Sequence, residues 1–352
     1  MDVGRRRTRI TKRLTRNLDR SRLQRALGDN PSIADSTFSV LDVETTGFGT
    51  EDQVIEIGLV RFTADGQAFD QWGTLINPGR DLRSYRVHKL GRFEYVRHAP
   101  TFEDIAGDLC QRLTGTVLAA HNLAFDHRMI GQEFERLGYV LPFMPSVCTL
   151  RVGRALGVPH RRLEDCCVQF GLTHSGQGHT ALADAQAASK LLALYLVTLQ
   201  SNGAKTLRDI GCEGEIPPPE AWPSISPSGF SYLREVHDGQ PRSYLGKLVN
   251  RLPASGSEEE LEYLSLLDMA LEDFVLTPQE VKALYDHASR TLRPDQIQAL
   301  HERYVSELVG AAWIDGVVTQ EETKEICMVA NLLGLSLLRV QRMIEEGNPQ
   351  RG

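Results

Sequence analysis

The sequence predicts an α/β domain, built as a mixed sheet flanked by helices, followed by a second domain that is all-α. Three observations carry this reading. Residues 38–76 hold three apolar runs of strand period joined by turn signals, and residues 101–200 then alternate a short apolar run with helical ones. A Pro-, Gly- and Ser-rich stretch follows over residues 203–240. Residues 257–346 carry helical periodicity throughout, punctuated by Ser or Thr followed three positions later by Glu.

In the first run Phe38, Val40, Asp42 and Glu44 alternate with Ser39, Leu41 and Val43, which is period two. Val54 to Phe62 is the second strand, Ala64-Asp65-Gly66 the hairpin turn, and Gln67 to Ile76 the third strand, closed by Asn77-Pro78-Gly79. A helix over 101–113 follows Pro100, with Thr101 and the acids Glu103 and Asp104 at its start. Thr116 to Ala120 reads as a short buried strand running into His121-Asn122, and a helix from Phe125 to Leu137 ends at Gly138. Shorter helices are expected near 149–156 and 161–170. A long one covers 180–200, with Leu182, Ala185, Ala188, Leu192, Tyr195 and Leu199 on its apolar side.

The domain boundaries follow: a basic arm over 1–30, the α/β domain over 31–202, a linker over 203–240 and the helical domain over 241–352. In the arm, Ile10, Leu14, Leu18, Leu23 and Leu27 recur at roughly helical spacing among arginines. Such a segment either grips phosphates, with salt-dependent affinity, or is a tail that packs on its own domain or stays disordered. In the helical domain Ser257 with Glu260, Thr277 with Glu280 and Thr319 with Glu322 form capping boxes. The last two belong to a repeat, Asp273-Phe274-Val275-Leu276-Thr277 against Asp315-Gly316-Val317-Val318-Thr319. Neither turn has the twelve-residue calcium pattern, so helix capping is the reading preferred over cation binding.

With 41% hydrophobic and 24% charged residues in 352, the chain is an ordinary globular sequence with room for about two domains. No run of about 18 apolar residues is evident and the basic N-terminus lacks an apolar core segment, so neither a membrane span nor a secretory signal is expected. Six cysteines without C-x-x-C spacing fit neither a zinc site nor a disulfide framework, which points to reduced thiols and a cytoplasmic protein. The formal charge of −7 is uneven. Residues 1–28 carry ten Arg/Lys against Asp2 and Asp19, a net +8 that leaves −15 on the rest, an arrangement suited to nucleic acid approached through the arm and through bound metal.

Residues i and i+2 of a strand point the same way, so Asp42 and Glu44 stand side by side on one face. Two carboxylates that close repel unless a cation sits between them. Two more acidic stretches lie downstream: His121-Asn122-Leu123-Ala124-Phe125-Asp126, and His179-Thr180-Ala181-Leu182-Ala183-Asp184. His179 and Asp184 would lie roughly 140° apart on one helix, so His179 is assigned to the preceding loop, with Thr180 as N-cap and Asp184 near the first turn. Asp42, Glu44, Asp126 and Asp184 with one imidazole make a two-metal hydrolase site. Two Mg²⁺ or Mn²⁺ ions about 3.5–4 Å apart would clamp the attacking and leaving oxygens of a phosphodiester. A loop histidine, with an unperturbed pKa of about 6.5, suits a general base.

Asp-Val-Glu-Thr-Thr-Gly at 42–47, His-Asn-Leu-Ala-Phe-Asp at 121–126 and His-Thr-Ala-Leu-Ala-Asp at 179–184 resemble the three motifs of the DnaQ-like (DEDDh) 3′→5′ exonucleases, the family of the DNA polymerase III epsilon subunit. The resemblance implies an RNase H-like fold with a five-stranded mixed sheet, and release of 5′-mononucleotides. It implies that Asp42 bridges both metals, that Glu44 and Asp184 bind the nucleophile-side metal, that Asp126 completes the set and that His179 deprotonates water. Thr45, Thr46, Gly47, Asn122 and Phe125 would contact the terminal nucleotide. The expected partner is nucleic acid, a DNA 3′ end in proofreading or repair ahead of an RNA end. The competing expectation is a recruitment protein that binds such ends without cutting them. The second C-terminal turn, Asp315-Gly316-x-x-Thr319-x-x-Glu322, resembles those of TerB-like tellurite-resistance domains, which implies a docking or metal-responsive module with a possible protein partner.

Overall fold

The computed structural model describes residues 31–79, 96, 98–172, 180–233, 252, 256–271, 276 and 278–346. The basic arm lies outside them, as do Asp273–Val275 and Thr277 of the first repeat turn. The chain divides into two compact units, one of residues 1–46, 52–158 and 166–237 and one of residues 47–51, 159–165 and 238–352.

The first unit holds strands β1 (Thr37–Thr45), β2 (Val54–Thr63), β3 (Ala68–Leu75), β4 (Val117–Ala120) and β5 (Ser146–Cys148). Its helices are α1 (Phe102–Leu113), α2 (Leu123–Arg136), α3 (Thr149–Leu156), α4 (Leu163–Gln169) and α5 (Ala181–Ser201), α4 beginning within the segment assigned to the other unit. The mixed five-stranded sheet with flanking helices expected of an RNase H-like domain is present, in the order β3-β2-β1-β4-β5. β1, β2 and β3 form an antiparallel meander, while β4 runs parallel to β1 and β5 parallel to β4. At three residues, β5 is too short to show a period of its own.

The alternation in β1 sorts its side chains between two helical layers. Ser39 donates to the carbonyl of Arg112 at the end of α1, and Arg112 also lies over the Trp72 ring of β3, 4.7 Å from its centroid, so α1 covers that face. Phe102 of α1 meets Phe134 of α2 edge to face at 5.3 Å. On the opposite face α5 lies across β1 and β2 and is packed by α3. By length and composition alone α5 is apolar enough to cross a membrane, but Ala185, Ala188, Leu191, Leu192, Tyr195 and Leu196 are buried, and it serves as the core helix of this layer.

The expected linker is not one over residues 203–233. Its composition excludes regular helix and strand but not packing. Ile33 donates to the carbonyl of Lys205 and Leu207 to that of Pro31, closing the two ends of the unit on each other. Leu207, Ile210, Cys212 and Trp222 are buried. Further on, the buried Asp108 of α1 accepts from Ser228 N and Oγ, both at 2.7 Å, and from Gly229 N at 3.0 Å. The carbonyl of Ser226 occupies the space that a side chain on Gly107 would fill. Beyond it, Trp72 Nε1 donates to the carbonyl of Phe230, and Leu75 N to that of Tyr232 at 2.8 Å, so the segment satisfies the free edge of β3.

The second unit contains α6 (Glu258–Ala270), α7 (Pro278–Thr291), α8 (Pro294–Ala312), α9 (Gln320–Leu332) and α10 (Leu337–Glu346). The capping boxes of Ser257 with Glu260 and of Thr319 with Glu322 form as predicted. Inside it Arg161 is buried, with Nη2 at 3.3 Å from Asp268 and Nη1 at 3.8 Å from Glu307. Tyr304 donates to the same Asp268 at 2.8 Å.

Candidate active site

The site forms where β1 outruns β4. The parallel pairing of Phe38 with Val117 through Val40 with Ala119 ends as β4 stops at Ala120, while β1 continues to Thr45. The chain leaves through His121, whose Nδ1 is 2.7 Å from Thr149 Oγ1, and Asn122, and α2 then starts beside Val43. This is the crevice beyond the carboxyl ends of neighbouring parallel strands, where α/β sheets place their ligands.

Asn122 has φ 71°, alone in positive φ among the described non-glycine residues, and makes no capping bond with its side chain. That sparsely populated conformation aims the first turn of α2 at the strand. As a result the buried Asp126 accepts the Val43 amide at 3.1 Å through Oδ1, fixing α2 to the backbone between Asp42 and Glu44. From the opposite layer, Thr180 caps α5 by accepting from Ala183 N at 3.1 Å, as predicted, and this sets Asp184 in the first turn.

The four predicted carboxylates converge. Asp42 is held well above its ordinary pKa, first by burial and then by the charges of Asp184, Asp126, Glu44 and Glu56. Asp126 is also held well above its ordinary value, by burial first, with Glu44 adding to it and the Val43 amide working against it. Among the described residues no three His, Cys, Asp or Glu side chains stand at the spacing of a metal shell. The donors nevertheless suit a hard divalent cation: all are carboxylate oxygens, and their mutual repulsion is the term a cation removes.

Glu56 is the member that sequence reasoning missed. It is buried on β2, and the antiparallel register sets it directly opposite Glu44. Its signal was present as a lone acid in the apolar run Val54-Ile55-Glu56-Ile57.

The expected substrate contacts divide. Phe125 is buried at the start of α2 with the Arg128 guanidinium 5.6 Å from its ring centroid. Thr45 lies just past a register shift in β1, opposite Val54. Thr46 is buried, and its hydroxyl donates to Asp52 at 2.8 Å and accepts from Gln53 N. Glu133 and Arg136 of α2 hold the same loop, the first accepting from Val54 N at 2.8 Å and the second donating to the Asp52 carbonyl at 2.7 Å. Gly47 begins the segment 47–51 that groups with the second unit. His179 lies outside the described residues.

Residues 39–192 match the RNase T family model, described as exonuclease. The PolC-type DNA polymerase III of Oceanobacillus iheyensis is 31% identical over 165 residues, 46% of this chain and 11% of that protein. The 3′-5′ exonuclease DinG of Bacillus subtilis is 28% identical over 178 residues, 49% of this chain and 19% of that protein. The chain thus spans well under a quarter of these curated relatives' length. Among solved structures, exonuclease X in complex with 5′ overhanging duplex DNA aligns at 22% identity with a TM-score of 0.36, covering 49% of this chain and 97% of that one. The nuclease domain of 3′hExo bound to rAMP aligns at 15% identity with a TM-score of 0.40, covering 51% and 97%. Residues 39–192 of this chain thus match an exonuclease-family domain.

Proposed function

We propose that this domain is a divalent-metal-dependent 3′→5′ exonuclease that removes 5′-mononucleotides from DNA 3′ ends, in proofreading or repair. The observation that carries the reading is the meeting of Asp42, Glu44, Asp126 and Asp184 from two helical layers and one strand, with Glu56 beside them. Acids kept this close are costly unless something cationic shares them. Asp42, Glu44, Asp126 and Asp184 would hold two Mg²⁺ or Mn²⁺ ions, which when bound polarise the phosphodiester and neutralise its developing charge.

The chain's own residues supply the rest. Asp126 keeps α2 against β1 through the Val43 amide, so the acids from strand and helix keep one spacing. His179 takes the proton of the attacking water, which a neutral imidazole does near pH 7. Asn122 and Phe125 line the cleft on the α2 side. DNA is favoured over RNA because relatives matched over 53% and 58% of this chain are named as DNA polymerase III. The helical unit is proposed as a docking module for a protein partner.

The test is a side-by-side digestion of 3′-labelled single-stranded DNA, mismatched duplex DNA and short RNA, with Mg²⁺ or Mn²⁺, by the wild type, Asp42→Ala and His179→Ala. The expected result is mononucleotide release from DNA, with both variants slower by about a hundredfold or more. Faster release from RNA would move the substrate class. Wild type no faster than Asp42→Ala would favour a protein that binds ends without cutting them.

A further inference from the structure

We propose that Gly58 is a positioning residue for the acidic cluster: the side chain it lacks lets the first turn of α5 rest on β2 and so sets the separation of Asp184 from Asp42. The inference rests on the functional reading above. Gly58 sits in the interior of β2, where glycine weakens a strand and commonly marks a close backbone approach.

The register makes the consequence specific. Asp42 pairs with Gly58 and Gly58 with Gly73, so the three lie in one row across β1, β2 and β3. In an antiparallel pair, registered partners point to the same face, which here is the face covered by α5. A Cβ built on Gly58 would fall inside the contact distance of the carbonyl carbon and oxygen of Ala181 and the nitrogen of Leu182. Those are backbone atoms of the helix's first turn, the turn that Thr180 caps and that carries Asp184. They cannot rotate away, so a methyl group there displaces the turn itself. Gly73 differs: its Cβ would meet Leu182 Cβ at 3.1 Å and Cδ2 at 3.3 Å, tight contacts that a shift of a few tenths of an ångström relieves, and no backbone atom of the helix.

Neither glycine of this row ligates or titrates, so Gly58 acts only through where it lets Asp184 stand. The proposal requires that the first turn of α5 yield to a methyl group on Gly58 while the domain persists.

The experiment measures Mn²⁺ binding to the full chain by the electron paramagnetic resonance of free Mn²⁺, alongside thermal unfolding, for wild type, Gly58→Ala, Gly73→Ala, Asp184→Asn and the Gly58→Ala/Asp184→Asn double variant. Gly58→Ala is expected to fold and to lose about tenfold or more in Mn²⁺ affinity, the usual scale for losing the support of a metal ligand. Gly73→Ala is expected to keep affinity close to wild type. The double variant is expected to bind no more weakly than Asp184→Asn, because both changes remove the same ligand. Wild-type affinity in Gly58→Ala, an equal loss in Gly73→Ala or an additive double variant would each overturn the proposal. So would failure of Gly58→Ala to fold, since Gly58 would then serve the whole domain. Absence of Mn²⁺ binding by the wild type would instead overturn the functional reading.

Discussion

Replacing Asp42 by Asn should make the metal-free protein more stable while removing its response to divalent ions. Asp42 and Glu44 are two residues apart on β1, so their side chains leave the strand about 6.7 Å apart at about 3.4 Å per residue. Two unit charges at that distance repel by about 2.5 kcal/mol at an effective dielectric near 20. The amide removes this term without changing shape. At roughly 2–4 °C per kcal/mol for a domain of this size, the sheet unit should melt about 5–10 °C higher in EDTA, towards the lower end because retained protons already relieve part of the repulsion. The same reasoning fixes the pH dependence. Burial and its acidic neighbours raise the folded-state pKa of Asp42, so the folded state holds that proton more tightly than the unfolded chain. Its stabilising contribution is complete below the ordinary carboxylate value and is lost as pH rises through the folded value. Wild type in EDTA should therefore melt progressively lower from acidic to neutral pH, and Asp42→Asn should flatten that decline. Saturating Mn²⁺, at about a hundred times Kd, should restore about 2.7 kcal/mol to wild type and nothing comparable to the variant. Tryptophan fluorescence is a suitable probe, because Trp72 and Trp222 are both buried in the sheet unit. A variant that melts lower than wild type in EDTA, or that gains as much from Mn²⁺, would refute the shared-cation account.

Four further outcomes are expected. His179→Ala should lose about a hundredfold or more in rate while keeping its Mn²⁺ affinity, which separates a proton acceptor from a ligand. Asp108→Ala, which strands three donors from Ser228 and Gly229, should cost about 2–4 kcal/mol in urea unfolding. Residues 31–202 expressed alone should be much less stable than residues 31–233, because burial of Leu207, Ile210 and Trp222, each contributing about 1.5–3 kcal/mol, is lost. Arg161→Met should destabilise the helical unit by about 3–5 kcal/mol by leaving Asp268 buried without its cation, and Asp268→Asn in the same chain should recover part of that.

By itself the sequence determined the elements and the chemistry. Period-two alternation announced β1, and the order and spacing of the three acidic stretches announced carboxylates gathered for a cation. Thr180 was legible as a cap and Asp184 as a first-turn acid because helix starts are local. Tertiary structure decided whatever depends on a partner distant in the chain. Glu56 joined the cluster only through the register that sets it opposite Glu44, and no local pattern encodes a register. That the Thr46 hydroxyl donates to Asp52 likewise appears only in the folded loop. Residues 203–233 looked like a linker because composition reports what a segment cannot form. Whether it is bound depends on distant groups, here the carboxylate of Asp108 and the open edge of β3.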